Sequence, residues 1–180
     1  MDPVVAWHTE HTYFNQLLGL LRREVDAFHR GDAPNYELMQ DIVRYLREYS
    51  DAVHHPREDV AFRRLLAHCP DLAQTLARLG QEHRVIAHAG EVLLGLLRAV
   101  VGGAVIPRAD VEVAAATYLV YYGNHIALEE EDVLPRAAKA LTPEDWDAVR
   151  KSVPSRPDPL FGGSAEEGYR ELRREIAREA

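Results

Sequence analysis

The sequence predicts an all-α protein, an up-down-up-down four-helix bundle with short extra helices at the C-terminus. Apolar residues recur at helical spacing along four long stretches, and clusters of Pro, Gly, Asn and Asp separate these stretches. No run of β-branched residues lies between hairpin-type turns, so the chain offers no candidate strand. Because the predicted connections are short, consecutive helices are expected to lie side by side and antiparallel.

The first half of the chain contains two of the predicted helices. The first is expected over about residues 3–29, with Asp2 as its N-cap and Pro at its first position. The segment Gly31–Pro34 then breaks the apolar pattern. The second helix is expected over about residues 35–68. Pro56 lies inside this helix and has no backbone N–H, which predicts a kink.

Gly and Pro residues also mark the boundaries of the other two long helices. The third is expected over about residues 71–101 and ends at the pair Gly102–Gly103, since Gly accepts the left-handed conformation that terminates helices. The fourth is expected over about residues 108–140 and opens directly after Pro107. Residues 1–141 are therefore expected to form the bundle.

Residues 142–180 are expected to form a helical extension packed on or beside the bundle. Thr142–Asp145 combines a capping residue with Pro and two acidic residues, which predicts the start of a short helix. Val153–Gly163 is rich in Pro and Gly and is predicted to be a linker or a docked loop. A capping box at Ser164–Glu167 predicts the start of a last helix.

Composition and charge exclude several function classes. The 180 residues are 47% hydrophobic and 28% charged, as in an ordinary globular domain. Acidic residues outnumber basic ones by 29 to 21, so neither nucleic acid nor an anionic membrane is expected as a partner. A single Cys excludes a Cys-rich zinc or iron–sulfur site. The N-terminus lacks the pattern of a secretory signal, so a cytoplasmic protein is expected.

Histidine is unusually frequent, with nine residues against four phenylalanines. In antiparallel helices four of these histidines lie at one level. His11 and His54 are each about 18 residues, or ~27 Å, from the first connection, and His83 and His125 are placed in the same way about the third. Helical phase puts His83 on an inward face. A single buried His is usually a hydrogen-bonded core residue, but four at one level indicate a common site.

Two carboxylates complete this predicted site. Glu58 follows His54 by four residues and Glu129 follows His125 by four, so each pair shares a helix face. Buried carboxylates repel each other unless a cation balances them, and imidazole with carboxylate suits iron, zinc or manganese. Six ligands exceed the four of a closed zinc site, which predicts two metal ions bridged by the glutamates. The predicted metal ligands are His11, His54, Glu58, His83, His125 and Glu129.

These motifs occur in two copies at an offset of about 72 residues, which indicates a duplicated helical hairpin. They resemble the motifs of the hemerythrin-like family, also called the HHE cation-binding domain, over about residues 3–140. The matching pieces are Glu10–His11, His54–Asp59, Glu82–His83, His125–Glu130 and Val133–Pro135. The resemblance implies a four-helix bundle with a non-haem, oxo-bridged di-iron centre of two irons per chain, for which zinc or manganese can substitute.

One position departs from the oxygen-carrying members of that family, which have a second His four residues after the first on the third helix. Here that position is Ala87, four residues after His83. His88 lies ~140° from His83 around the helix and is expected to point away. One metal is therefore expected to lack a protein ligand and to keep an open or solvent-filled position.

Two ligand assignments stay open at the level of sequence. His54 lies at the edge of the inner apolar stripe and is preferred to His55, although the kink at Pro56 can rotate the helix. In that interpretation His55 pairs with Asp59 or supports a neighbouring ligand. Glu130 is the second open case, a candidate carboxylate ligand either in addition to Glu129 or in its place.

The resemblance and the residues together favour a protein that binds or senses oxygen, nitric oxide, or redox or iron state. Such a sensor is expected to have an unidentified protein partner or to form a homodimer. The alternative is an enzyme, namely a di-iron oxidase, a peroxidase-like enzyme or a repair factor for damaged iron centres. A third interpretation is an interaction bundle whose histidines are structural. Whether the protein is an enzyme is open at this stage.

Overall fold

The structure is a computed structural model and describes residues 3–153, 156–162 and 167–179. Within these ranges all regular structure is helical and no strand is present, so the all-α prediction is confirmed. No described helix combines the length and the apolar character that crossing a membrane requires. The predicted N-cap at Asp2 and residues 164–166 of the predicted capping box lie outside the described residues.

Eight α-helices account for most of the described chain. They are α1 (Pro3–Arg30), α2 (Tyr36–Tyr45), α3 (His55–His68), α4 (Ala73–Val101), α5 (Arg108–Leu128), α6 (Leu134–Ala140), α7 (Pro143–Ser152) and α8 (Arg170–Glu179). Two π-helical segments, π1 (Leu46–His54) and π2 (Glu129–Val133), join α2 to α3 and α5 to α6. Short 3₁₀ turns cover Pro70–Leu72 and Glu167–Tyr169.

A π-helical segment lies directly before Pro56, the position at which the sequence predicts a kink. The chain widens before the proline, where the backbone N–H of His55 donates to the carbonyl of Ser50. Pro56 therefore lies in the first turn of α3, where the missing N–H is tolerated. Pro135 lies in the first turn of α6 in the same way, directly after π2. Each predicted long helix with an internal proline is thus continued through a π-helical segment.

The long helices pack around two apolar clusters. α1 contacts α2 and α5, and α4 contacts the same two helices. The larger cluster includes Phe28, Leu38 and Leu97, close to the first and third connections. The smaller cluster includes Leu65 and Leu76, close to the second connection. This division leaves room for a polar layer between the clusters.

Polar and aromatic contacts hold the C-terminal segment against the rest of the molecule. Thr142 and Asp145 form a capping box at the start of α7, and the Asp145 carboxylate lies 2.9 Å from Nε2 of His68 in α3. In the following segment the ring of Phe161 stacks on that of Tyr13 with centroids 4.0 Å apart. The described part of Val153–Gly163 is therefore a docked loop, whereas the domain boundary after residue 141 stays a prediction.

Asp158 organises this docked loop, and its removal is expected to destabilise the fold. Its carboxylate accepts hydrogen bonds from the hydroxyl of fully buried Tyr45 and from the backbone N–H groups of Leu160 and Phe161, each at 2.8 Å. Asp158→Ala leaves the Tyr45 hydroxyl unpaired and is expected to lower the free energy of unfolding by about 1–3 kcal/mol. Urea unfolding of the metal-free chain measures this loss.

Asp26→Ala on the exposed face of α1 is the matched control, with an expected change within ~0.5 kcal/mol. Adding Tyr45→Phe to Asp158→Ala removes the unpaired hydroxyl and should recover part of the loss. Equal unfolding free energies for the Asp158 and Asp26 variants would contradict the role given to Asp158.

Candidate metal centre

A layer of buried polar side chains lies between the two apolar clusters. His11, His54, His83 and His125 come from α1, π1, α4 and α5, and none is more than 6% exposed. The Nε2 atoms of His11 and His54 are 3.0 Å apart. The ring centroids of His83 and His125 are 4.7 Å apart. The structure thus brings the four predicted histidines together as two pairs.

Glu58 lies between the two histidine pairs. Its Oε1 atom is 3.0 Å from Nε2 of His54 and 3.4 Å from Nε2 of His11. Its Oε2 atom is 3.5 Å from Nε2 of His83. One carboxylate therefore presents one oxygen to each half of the site.

Glu129 repeats this arrangement from the opposite helix. Its Oε1 atom is 3.2 Å from Nε2 of His125 and 3.8 Å from Nε2 of His83, and its Oε2 atom is 3.5 Å from Nε2 of His11. Glu58 and Glu129 are at most 1% exposed. All six predicted ligand side chains therefore converge on one buried volume, and their role as metal ligands stays a prediction.

The polar atoms at the centre of this volume have no hydrogen-bond partners. Both oxygens of Glu58, both oxygens of Glu129, and Nε2 of His83 and of His125 are buried and unpaired. Unpaired buried carboxylates are costly, and a cation between them removes that cost. Nitrogen and oxygen ligands without sulfur suit iron, zinc or manganese. The donor set therefore fits divalent metal ions.

Outer carboxylates hold the far side of each predicted histidine ligand. Nδ1 of His11 lies 2.7 Å from Glu130, and Nδ1 of His54 lies 2.6 Å from Glu10. In each pair Nδ1–H donates a hydrogen bond to the carboxylate and Nε2 faces the centre of the site, as in carboxylate–histidine–metal triads. Glu130 therefore contacts the outer nitrogen of His11. This position does not support the alternative in which Glu130 binds the metal directly.

The second half of the site has the same outer contacts. Nδ1 of His83 lies 2.9 Å from Asp59, and Nδ1 of His125 lies 3.2 Å from Glu82. The predicted pairing of Asp59 with His55 is therefore wrong, because Asp59 faces α4. The sequence signal for these partners is an acidic residue adjacent to four of the six predicted ligands. Glu10 precedes His11 and Glu82 precedes His83, while Asp59 follows Glu58 and Glu130 follows Glu129.

His55 is the residue that sequence reasoning underestimated. It is 3% exposed, and its ring stacks on that of His83 with centroids 4.3 Å apart. Ligand atoms of His55, Glu58, His83 and His125 all lie within 4.8 Å of one another, which makes a four-residue group able to hold a metal. The available signal was the His-His doublet. Its counterpart in the second sequence repeat is Ile126, so the two halves of the site differ here.

His55 also changes the expectation of a vacancy at Ala87. Ala87, His55 and His83 line one cavity of about 320 Å³ that also contains Asp51. Nδ1 of His55 is 3.4 Å from Asp51 and has no hydrogen bond. His88 is exposed on the outside of α4, as expected. The imidazole of His55 therefore occupies the neighbourhood in which the missing ligand was expected.

Electrostatics within the site favour charged carboxylates. Burial raises the pKa of Glu58, but the charge of His54 and the nearby imidazoles of His11 and His83 outweigh burial and hold that pKa well below its usual value. The pKa of Glu129 is also lowered, because His125 and His83 outweigh burial and the charge of Glu58. The imidazoles thus take the place of positive metal ions in the metal-free chain.

The histidines themselves divide into two kinds. Burial opposes protonation of His11 and His83, but hydrogen bonds to carboxylates outweigh it and raise the pKa of His11 to about 10 and of His83 to about 11. Burial and the charge of His83 lower the pKa of His55 well below its usual value. His55 is therefore neutral, the form in which imidazole binds a metal.

The remaining histidines with described contacts lie away from the centre. His8 is exposed and lies 2.8 Å from the outer carboxylate Glu130. His29 lies 3.2 Å from Glu112 on the surface, and His68 contacts α7 as described above. These positions agree with structural roles.

Comparison with known families fits this geometry. The sequence model of the hemerythrin HHE cation-binding domain matches residues 2–137 of the 180-residue chain. The chain belongs to this family. All six predicted ligands of the HHE domain and its outer carboxylates lie within the matched range. No curated protein and no solved structure matches the chain at a significant level. The buried His and Glu side chains are thus the cation-binding residues to test.

Metal binding is expected to release protons, because protonated imidazoles occupy the metal-free site. At pH 8 His11 and His83 carry protons that a metal must displace, so at least about two protons should leave per chain. Affinity should therefore rise from pH 7 to about pH 9. Calorimetric titration with Zn²⁺ in buffers of different ionisation enthalpy counts the protons. A binding enthalpy independent of the buffer would contradict this expectation.

The same two histidines give the metal-free chain a defined pH dependence. Their folded-state pKa values lie above the unfolded value of ~6.5, so their stabilising contribution is complete below ~6.5. That contribution should disappear as the pH rises through about 10 for His11 and about 11 for His83. Urea unfolding between pH 6 and pH 10 measures the trend, and a metal-free chain that becomes more stable over this range would contradict it.

Proposed function

We propose that this HHE-domain chain binds two metal ions, iron in the cell, and uses them to bind or sense oxygen or nitric oxide. The observation that carries the proposal is the position of Glu58 and Glu129, which each present one oxygen to each histidine pair. Two shared carboxylates hold two ions more naturally than one. The proposal places the centre in an up-down-up-down arrangement of the four long helical segments, in a cytoplasmic protein.

The proposed ligand sets differ between the two ions. His11 and His54 hold the first ion, and His83 and His125 with the added His55 hold the second. Glu58 and Glu129 contribute to both ions and balance part of their charge. Zinc or manganese can occupy the same donors, because the donor set contains no sulfur to select against them.

The unequal ligand sets indicate where a small molecule would bind. The first ion has two imidazoles and two shared carboxylates, whereas the second has three imidazoles and the same carboxylates. A metal with fewer protein ligands keeps a position for an exogenous ligand. We therefore place oxygen or nitric oxide on the side of His11 and His54. A sensor of this kind transmits the bound state to a protein partner or to a second copy of the chain.

The metal content tests the proposed centre directly. The chain reconstituted with ferrous iron under anaerobic conditions is expected to retain about two irons, because the donors form two overlapping sets. His55→Ala should weaken binding of one iron, and Ala87→His in that background should restore it from the neighbouring position on α4. Elemental analysis after desalting and the metal-dependent rise in melting temperature provide the measurements.

His88→Ala is the matched control, since it removes an exposed imidazole from the next position on α4. This variant should keep both irons. Retention of two irons with unchanged affinity in His55→Ala would remove His55 from the ligand set. Retention of no iron by the unmodified chain would overturn the proposed function as a whole.

Reaction with diatomic ligands tests the second part of the proposal. The ferrous chain mixed with nitric oxide in a stopped-flow spectrometer is expected to show a saturable absorbance change, and mixing with oxygen is expected to oxidise the iron. The zinc-loaded chain is the control, since zinc has no accessible redox change. A ferrous chain with two irons and no spectral response to either gas would contradict the assignment of ligand while leaving the metal site in place.

A further inference from the structure

A second cavity lies outside the metal centre, between α1, α3 and α7. It has a volume of about 270 Å³ and is lined by side chains of all three helices. Residues from α1 and α7 form its walls, and Arg57 of α3 reaches it from one side. None of the predicted metal ligands lines it. The cavity therefore requires an explanation of its own.

The walls of this cavity are aromatic and aliphatic. Trp7 and Trp146 pack edge-to-face with ring centroids 5.3 Å apart, and both are less than 10% exposed. Aliphatic residues supply the rest of the apolar lining, namely Pro3, Ala6, Val149 and Val153. Indole faces beside small aliphatic groups suit a flat or short apolar body.

The charged groups at this cavity are predominantly basic. Arg57 is half-buried, and in the part of the chain that the structure describes it makes no hydrogen bond or ion pair. Arg150 lies at the rim and pairs with Asp147 on the outer face of α7. A guanidinium presents parallel N–H donors that match a carboxylate. Arg57 is therefore a free anion-binding group facing an apolar cavity.

The acidic residue in the lining does not neutralise Arg57. Glu10 has one oxygen 2.6 Å from Nδ1 of His54 and the other 2.9 Å from the hydroxyl of Tyr49. With both oxygens engaged, Glu10 stays further from Arg57 than an ion pair allows and acts on it only through its field. A second anion on Arg57 is thus compatible with the contacts of Glu10.

We propose that this cavity, bounded by Trp7, Trp146 and Arg57, binds a small organic carboxylate with an aromatic or short alkyl body. The apolar body lies between the indoles and the carboxylate pairs with Arg57, with Arg150 near the entrance. The volume is below the usual range for drug-sized ligands, so the ligand class is a single-ring or short-chain acid. The bound acid would lie beside Glu10, which holds a predicted metal ligand, although binding itself does not depend on the proposed metal function.

The chain contains two tryptophans, and both line the cavity, so intrinsic fluorescence reports its occupancy. The probe is 3-phenylpropionate, and its neutral amide is the matched control ligand. Titration of the full chain, in the metal-free and the zinc-loaded forms, is expected to give a saturable fluorescence change with the acid. The amide should bind at least about tenfold more weakly, because it lacks the charge that Arg57 recognises. Calorimetry provides an independent affinity.

Two variants separate the charge from the space. Arg57→Gln is expected to weaken binding of the acid by about tenfold and to leave binding of the amide unchanged. Ala6→Leu adds volume to the cavity wall without removing a charge, so it should weaken binding of both ligands. Arg63→Gln removes an exposed guanidinium from the same helix, outside the cavity, and should change neither. Melting temperatures show whether each variant is folded.

Three results would overturn the proposal. The first is the absence of a saturable signal with 3-phenylpropionate in the folded, unmodified chain. The second is equal affinity for the acid and its amide. The third is unchanged affinity in Arg57→Gln. Failure of iron binding would leave these measurements unaffected, since they use the metal-free and zinc-loaded chain.

Discussion

Glu58 and Glu129 bury four carboxylate oxygens at the centre of the helices, out of reach of water and without hydrogen bonds. Such groups are tolerated only beside positive charge, whether from metal ions or from protonated imidazoles. The surrounding architecture follows from that requirement. Each carboxylate needs histidines from two sides, so four long helical segments must present imidazoles at one level. The apolar core is consequently divided into two clusters with the polar layer between them.

The outer carboxylates show how the helices hold this layer in register. Glu10 of α1 holds His54 of the second long segment, and Glu82 of α4 holds His125 of the fourth. Asp59 and Glu130 complete the series by holding His83 and His11. Every long segment thus orients an imidazole of another one, and a shift of any helix along its axis would disturb a buried contact as well as apolar packing.

Much of this arrangement is predictable from sequence, because helical periodicity and the four-residue spacing of His and Glu depend only on regular α-helix. The all-α fold and the convergence of His11 and Glu58 from distant parts of the chain follow from that arithmetic. His55 was misjudged because π1 precedes it. Each residue of a π-helix turns the chain by less than the 100° assumed, so the error in phase grows over the nine residues of Leu46–His54. The cavity beside Arg57 depends on how α7 docks, which no local pattern specifies.

The difference between His55 and Ile126 has a consequence for the order in which the centre fills. The two halves of the chain follow one repeated plan, yet one half of the site gains an imidazole that the other lacks. In the proposed centre the two ions would therefore have three and two imidazole donors, and the ion with three is expected to bind more tightly. Limiting metal would then load one position before the other. The replacement of one residue between the two repeats would in this way make metal loading stepwise.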